Sequence, residues 1–82
     1  MKKTGVEEKE QMSLATLNPG TSARIVGVCG GHGLQRRLAA MGVVRGQEVE
    51  VVRNSGGGPI VISVMGSQLM VGRGMAQKII VD

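Results

Sequence analysis

The sequence predicts a mainly β fold: a small barrel of five short strands with one short helix inserted between the first and second. Short valine- and isoleucine-rich segments recur along the chain, and several alternate with the period of two that a half-buried strand requires. One segment, Leu34 to Met41, carries the spacing of a helix instead. The connections are short and rich in glycine. Closing the strands into a barrel leaves fewer unpaired edges in a domain too small to cover them with helices.

Residues 1–12 mix charges without periodicity and read as a flexible tail, so the folded domain is placed at residues 13–82. Ser13 is expected to cap a helical turn holding Leu14 and Leu17. That turn stops at Asn18-Pro19-Gly20, where proline fixes φ and glycine accepts a positive φ. Ala23 to Val28 forms the first strand, and Gly30 to Gly33 a mobile connection into the helix. Leu34, Leu38 and Met41 recur at i, i+4 and i+7, so they share one helical face, while Gln35, Arg36 and Arg37 point elsewhere. Gly42 then stops the helix in the left-handed region, and Arg45-Gly46 makes the next turn.

The second strand is Glu48 to Arg53. Asn54 to Pro59 is too polar for a core and links two strands, with enough glycine to let the hairpin bend or open. Ile60, Ile62 and Val64 share one face of the third strand, Gly66-Ser67 turns, and Leu69 and Val71 share one face of the fourth. Gly72 to Ala76 interrupts the alternation before Ile79 and Val81 give a final strand. The expected core is Ile25, Leu34, Leu38, Met41, Ile60, Ile62, Leu69, Val71 and Ile79.

A chain of 82 residues forms one small domain with a thin core. It has no Phe, Tyr or Trp, so packing falls to aliphatic residues and six methionines. The same absence excludes base stacking on aromatic rings and aromatic-lined grooves for proline-rich peptides. The formal charge is +4. The lysines and glutamates of the tail cancel, which leaves the excess on Arg24, Arg36, Arg37, Arg45, Arg53, Arg73 and Lys78. These are scattered as solvated surface charges usually are. A single cysteine and no signal-peptide core point to a reducing cytoplasm. The longest apolar run falls far short of the ~20 residues that span a bilayer, so any membrane role is indirect.

Leu17-Asn-Pro-Gly20, Ala23-Arg-Ile-Val26, Arg37-Leu-Ala-Ala-Met-Gly42, Gly46, Gly58-Pro-Ile60 and Ile79-Ile-Val81 together resemble the FeoA family of ferrous iron transport proteins, over Ser13 to Val81. The resemblance implies an SH3-like β-barrel with an inserted helix. It also implies a cytoplasmic partner of the membrane-embedded ferrous transporter FeoB, acting on its GTP-binding part and without chemistry of its own. The chain departs from the family pattern at Arg45, where proline is common, at Gly58, and at Gly72, Gly74 and Met75.

Candidate sites follow from residue chemistry. Cys29 and His32, spaced C-x-x-H, are the metal candidates, but a closed site usually needs four ligands and no acidic residue lies between Glu10 and Glu48. Weak or adventitious binding of a divalent metal, with no required cofactor, is the expectation. Arg36 and Arg37 are partner-binding candidates because guanidinium groups pair with carboxylates. Met65 and Met70, beside the hairpin turn, join them as an adaptable apolar contact. One histidine and no G-x-x-x-x-G-K-[ST] loop leave catalysis without support. Two other readings stay open: a regulatory or nucleic-acid-binding barrel driven by the basic surface, although no nucleic acid is expected, and a small metal sensor using Cys29 and His32.

Overall fold

A computed structural model describes residues 12–82. The tail expected over residues 1–12 lies outside the described residues, apart from Met12, which belongs to a strand. In chain order the elements are β1 (Met12–Ser13), a 3-10 turn (Leu14–Thr16), β2 (Ser22–Val28), α1 (His32–Ala40), β3 (Glu48–Arg53), β4 (Ile60–Val64), β5 (Ser67–Val71), α2 (Arg73–Ala76) and β6 (Ile79–Val81). The five expected strands are thus joined by a two-residue sixth. The stretch that breaks the alternation near the end is the short helix α2.

All neighbouring strands are antiparallel, in the order β1-β6-β2-β3-β4-β5. β2 makes the curvature. Its first half pairs with β3, through Ala23 and Val49, and its second half with β6, through Val28 and Ile79. The register slips between Ile25 and Gly27, and such a bulge bends a strand and increases its twist, so one strand serves both halves of the wall. Among the described residues no main-chain bond joins β5 back to β1, so the barrel has a gap there rather than a hydrogen-bonded seam.

The inward positions form one core. Ile25, Leu38, Ile60, Ile62, Val71 and Ile79 are buried as expected from their spacing, and Leu14, Leu17, Ala23, Val43, Val49, Val51, Val64, Ala76 and Val81 complete it. Leu34 and Leu69 are only half-buried, packed on the margin of that core. Met41 is a correction. α1 ends at Ala40, and Met41 sits in the cap with φ −99 and ψ 6, so its side chain leaves the Leu34/Leu38 stripe and is 40% exposed. Val43 takes the inward place. Its N–H donates to the Leu38 carbonyl at 2.9 Å, and the Gly42 N–H donates to the Ala39 carbonyl at 3.0 Å. These are the two bonds of a Schellman motif, which brings the residue after the glycine back onto the last turn. Gly42, at φ +89, supplies the left-handed residue the motif needs.

The β4–β5 turn is a second correction. Val64 pairs with Ser67, so the turn residues are Met65 and Gly66, not Gly66 and Ser67. Both have positive φ, 52° and 83°, as a two-residue type I′ hairpin requires. Methionine is a poor residue for this position, since a side chain in the left-handed region meets its own backbone. Met65→Asn is therefore expected to stabilise the domain by about 0.5–1 kcal/mol, because asparagine tolerates this conformation and little buried surface is lost. A thermal melt checks it: the midpoint should rise by a few degrees, and a fall would show that the thioether contributes more than the backbone strain costs.

At the other end of the barrel, polar side chains tie the connections down. Ser13 precedes the 3-10 turn but makes no side-chain cap. Thr16 donates instead to the Ser13 carbonyl, at 2.8 Å. Asn54, in the segment whose polarity predicts a solvent-exposed link, is half-buried and donates to the Ala15 and Leu17 carbonyls at 3.0 and 2.8 Å. Its Oδ1 accepts from Arg73 at 2.6 Å, and the same guanidinium donates through Nε to the Gly58 carbonyl at 3.1 Å. The glycine loop is thus anchored at its Gly58 end.

Candidate functional site

Two of the exposed methionines, Met41 and Met65, meet where the end of α1 lies against the β4–β5 turn, while Met70 stands farther along β5, beside Val61 and Arg53. β4 and β5 form a hairpin within the sheet, and the Schellman turn places the end of α1 against its tip. A Cβ built on Gly42 would lie 3.1 Å from Met65 Sδ and 3.2 Å from Val64 Cγ1. Between these elements runs a cleft of about 660 Å³, with Ala40 and Met41 on the helix side and Met65, Ser67 and Leu69 on the hairpin side. A second cleft, of about 330 Å³, lies across the outer face of β3, β4 and β5, lined by Val52, Arg53, Val61, Gln68, Leu69 and Met70. Leu69 borders both. Met65 is 72% and Met70 73% exposed, so the hairpin presents both of its methionines to solvent. Methionine side chains are flexible and polarisable, and they suit a surface that must adapt to a partner.

Of the other sequence candidates, Arg36 and Arg37 are exposed on α1 and line neither cleft. The structure brings Met65 together with Met41 rather than with the arginines. Cys29 and His32 are both exposed in and after the connection from β2 to α1. No group of three or more His, Cys, Asp or Glu side chains stands close enough to hold a metal among the described residues. That connection is also fixed more firmly than its glycines suggest. The Cys29 N–H donates to the Lys78 carbonyl at 2.7 Å, and Gln35 Nε2 donates to the carbonyls of Gly30 and Val28 at 3.0 and 3.3 Å.

Sequence reasoning missed Met41 and Leu69 as cleft residues, and Arg53 as the neighbour of Leu69 and Met70 in the outer cleft. The available signal was the half-apolar outer face of β3 to β5, where Val52, Val61 and Met70 interrupt the polar alternation. Contiguous apolar patches on a small protein usually mark an interaction surface.

Residues 12–82 match the FeoA domain model, which covers all the described residues. The chain belongs to the FeoA family. It is 38% identical over 69 residues to a protein of Methanocaldococcus jannaschii named as Fe(2+) transport protein A, covering 84% of this chain and 83% of that one. The crystal structure of an iron uptake regulatory protein, FeoA, superimposes with a TM-score of 0.83 at 32% identity, covering 87% of this chain and 95% of the other. Stenotrophomonas maltophilia FeoA, solved in complex with zinc and described as an SH3 domain protein, gives 0.76 at 30% identity, over 87% and 89%. The SH3-like barrel expected from the sequence is thus the fold of this FeoA chain. None of its helices among the described residues is long and apolar enough to cross a membrane.

Proposed function

We propose that this FeoA protein assists ferrous iron uptake as a non-enzymatic adaptor in the cytoplasm, binding the GTP-binding cytoplasmic part of the FeoB transporter. The observation that carries the reading is the exposed Met65 at the hairpin turn facing Met41 across an open cleft, with Met70 exposed on the outer face of the same hairpin. An adaptor needs a rigid body and an adaptable contact. The barrel core supplies the first, and Met65, Met70 and Met41 supply the second. Arg36 and Arg37 lie on the solvent face of the same helix and add charge that pairs with carboxylates of the partner. In this role the barrel needs no cofactor of its own.

Calorimetric titration of the purified protein into the isolated cytoplasmic part of FeoB from the same organism tests the proposal. Wild-type protein should bind, and the Met65→Asp/Met70→Asp variant should bind at least about tenfold more weakly with its circular dichroism unchanged. Arg37→Glu should give a smaller, salt-dependent loss. Absence of wild-type binding would end the adaptor reading. Full binding by the methionine variant would move the contact away from the hairpin.

A further inference from the structure

The β5 edge opposite β4 carries main-chain groups that no other element among the described residues uses. In a two-residue hairpin the residues flanking the turn exchange both main-chain bonds, and the pattern alternates from there. Val64 and Ser67 are such a pair, as are Ile62 with Leu69 and Ile60 with Val71. The N–H and C=O of Gln68 and Met70 therefore point away from β4. β5 ends the sheet order, and residues 67–71 take no part in the main-chain bonds between elements among the described residues. Both Gln68 and Met70 are exposed. The edge has neither proline nor charge to discourage pairing, although natural proteins usually blunt an exposed edge with one or the other.

What flanks the edge says what would pair with it. Successive side chains of an added strand point to opposite faces of the sheet. On one face of β5 is the apolar cleft against α1, with Met41, Met65 and Leu69. On the other is the cleft where Arg53 stands with Gln68 and Met70. We propose that β5 is a strand-addition site for an extended partner segment that alternates apolar and acidic residues, its apolar side chains entering the cleft beside α1 and a carboxylate meeting Arg53. A second copy of the chain fits less well, because each copy carries a net charge of +4. The mode of recognition is main-chain pairing, which gives affinity, with the two clefts giving specificity. It does not depend on FeoB being the protein that supplies the segment.

The test uses nitrogen-15-labelled protein and a short capped peptide alternating glutamate and leucine, with amide hydrogen exchange read residue by residue. At saturating peptide, exchange at Gln68 and Met70 should slow by about tenfold or more, while amides of β2 stay unchanged. Met70→Pro removes one outward N–H without taking a bond from β4, and should weaken the peptide about tenfold. Arg53→Glu, an exposed change that leaves the core alone, should shift preference from this peptide to one of the same length alternating lysine and leucine. Three results would overturn the proposal. One is no slowing at Gln68 and Met70 up to millimolar peptide. Another is equal slowing by a peptide whose pairing amides are methylated. The third is slowing that appears without peptide as protein concentration rises, which would show that the edge pairs with a second copy.

Discussion

Leu38→Ala is expected to cost about 3 kcal/mol, the range for emptying a leucine-sized space in a core that cannot collapse. Leu38 is fully buried and is where α1 enters the barrel. Its carbonyl also accepts the Val43 bond that closes the Schellman turn. A domain of this size has roughly 4–10 kcal/mol of stability, so the loss is a large fraction of the whole. Denaturant unfolding followed by circular dichroism should show it, with a melting midpoint lower by roughly 15 °C. Met41→Ala is the control. The two positions belong to one helical stripe in the sequence, yet Met41 is 40% exposed and its truncation should fall within about 0.5 kcal/mol. Equal losses at the two sites would mean that Met41 is as much core as Leu38.

That pair shows where the sequence was legible and where it was not. Period-two alternation placed β3, β4 and β6 at their observed bounds, because burial on one face of a sheet leaves its mark on every second residue. Helical spacing found Leu38 but extended the stripe one residue too far. The glycine stop was correctly read, but the stop itself turns the chain, so the apolar residue that completes the face is Val43 and not Met41. The hairpin failed for a related reason. Turn residues are recognised by their preference for a positive φ, and Met65 adopts one against its preference, so the glycine beside it drew the turn one residue late. Of the candidate site, Met70 is legible as an outward residue from the register of Leu69 and Val71, and Met65 only as a neighbour of the turn. The cleft they border depends on where α1 packs, which no local pattern encodes.

Asn54 and Arg73 are the least legible part of the fold, and Asn54→Asp gives the second large effect expected. Asn54 uses both ends of its amide: Nδ2 donates to two carbonyls of the N-terminal segment, and Oδ1 accepts from Arg73. One side chain thus joins the 3-10 turn, the end of β3, α2 and, through Arg73, the glycine loop. Aspartate would keep the shape and strengthen the pairing with Arg73, since a charged acceptor makes the stronger bond. It would also set a carboxylate oxygen against the Ala15 and Leu17 carbonyls, with no hydrogen to share. Leaving such acceptors unpaired in a partly buried place costs about 1–3 kcal/mol, and a negative charge facing them adds to that. The net effect should be a loss of about 2 kcal/mol or more, at least as large as that of Asn54→Ala, read from denaturant unfolding. Exchange at the Gly56 to Gly58 amides separates the two halves of the contact. Arg73→Met should release the loop while sparing the N-terminal turn, and Asn54→Asp should do the reverse. If Asn54→Asp is instead neutral or stabilising, the ion pair with Arg73 outweighs the two lost donations, and the hub is held by charge rather than by the amide.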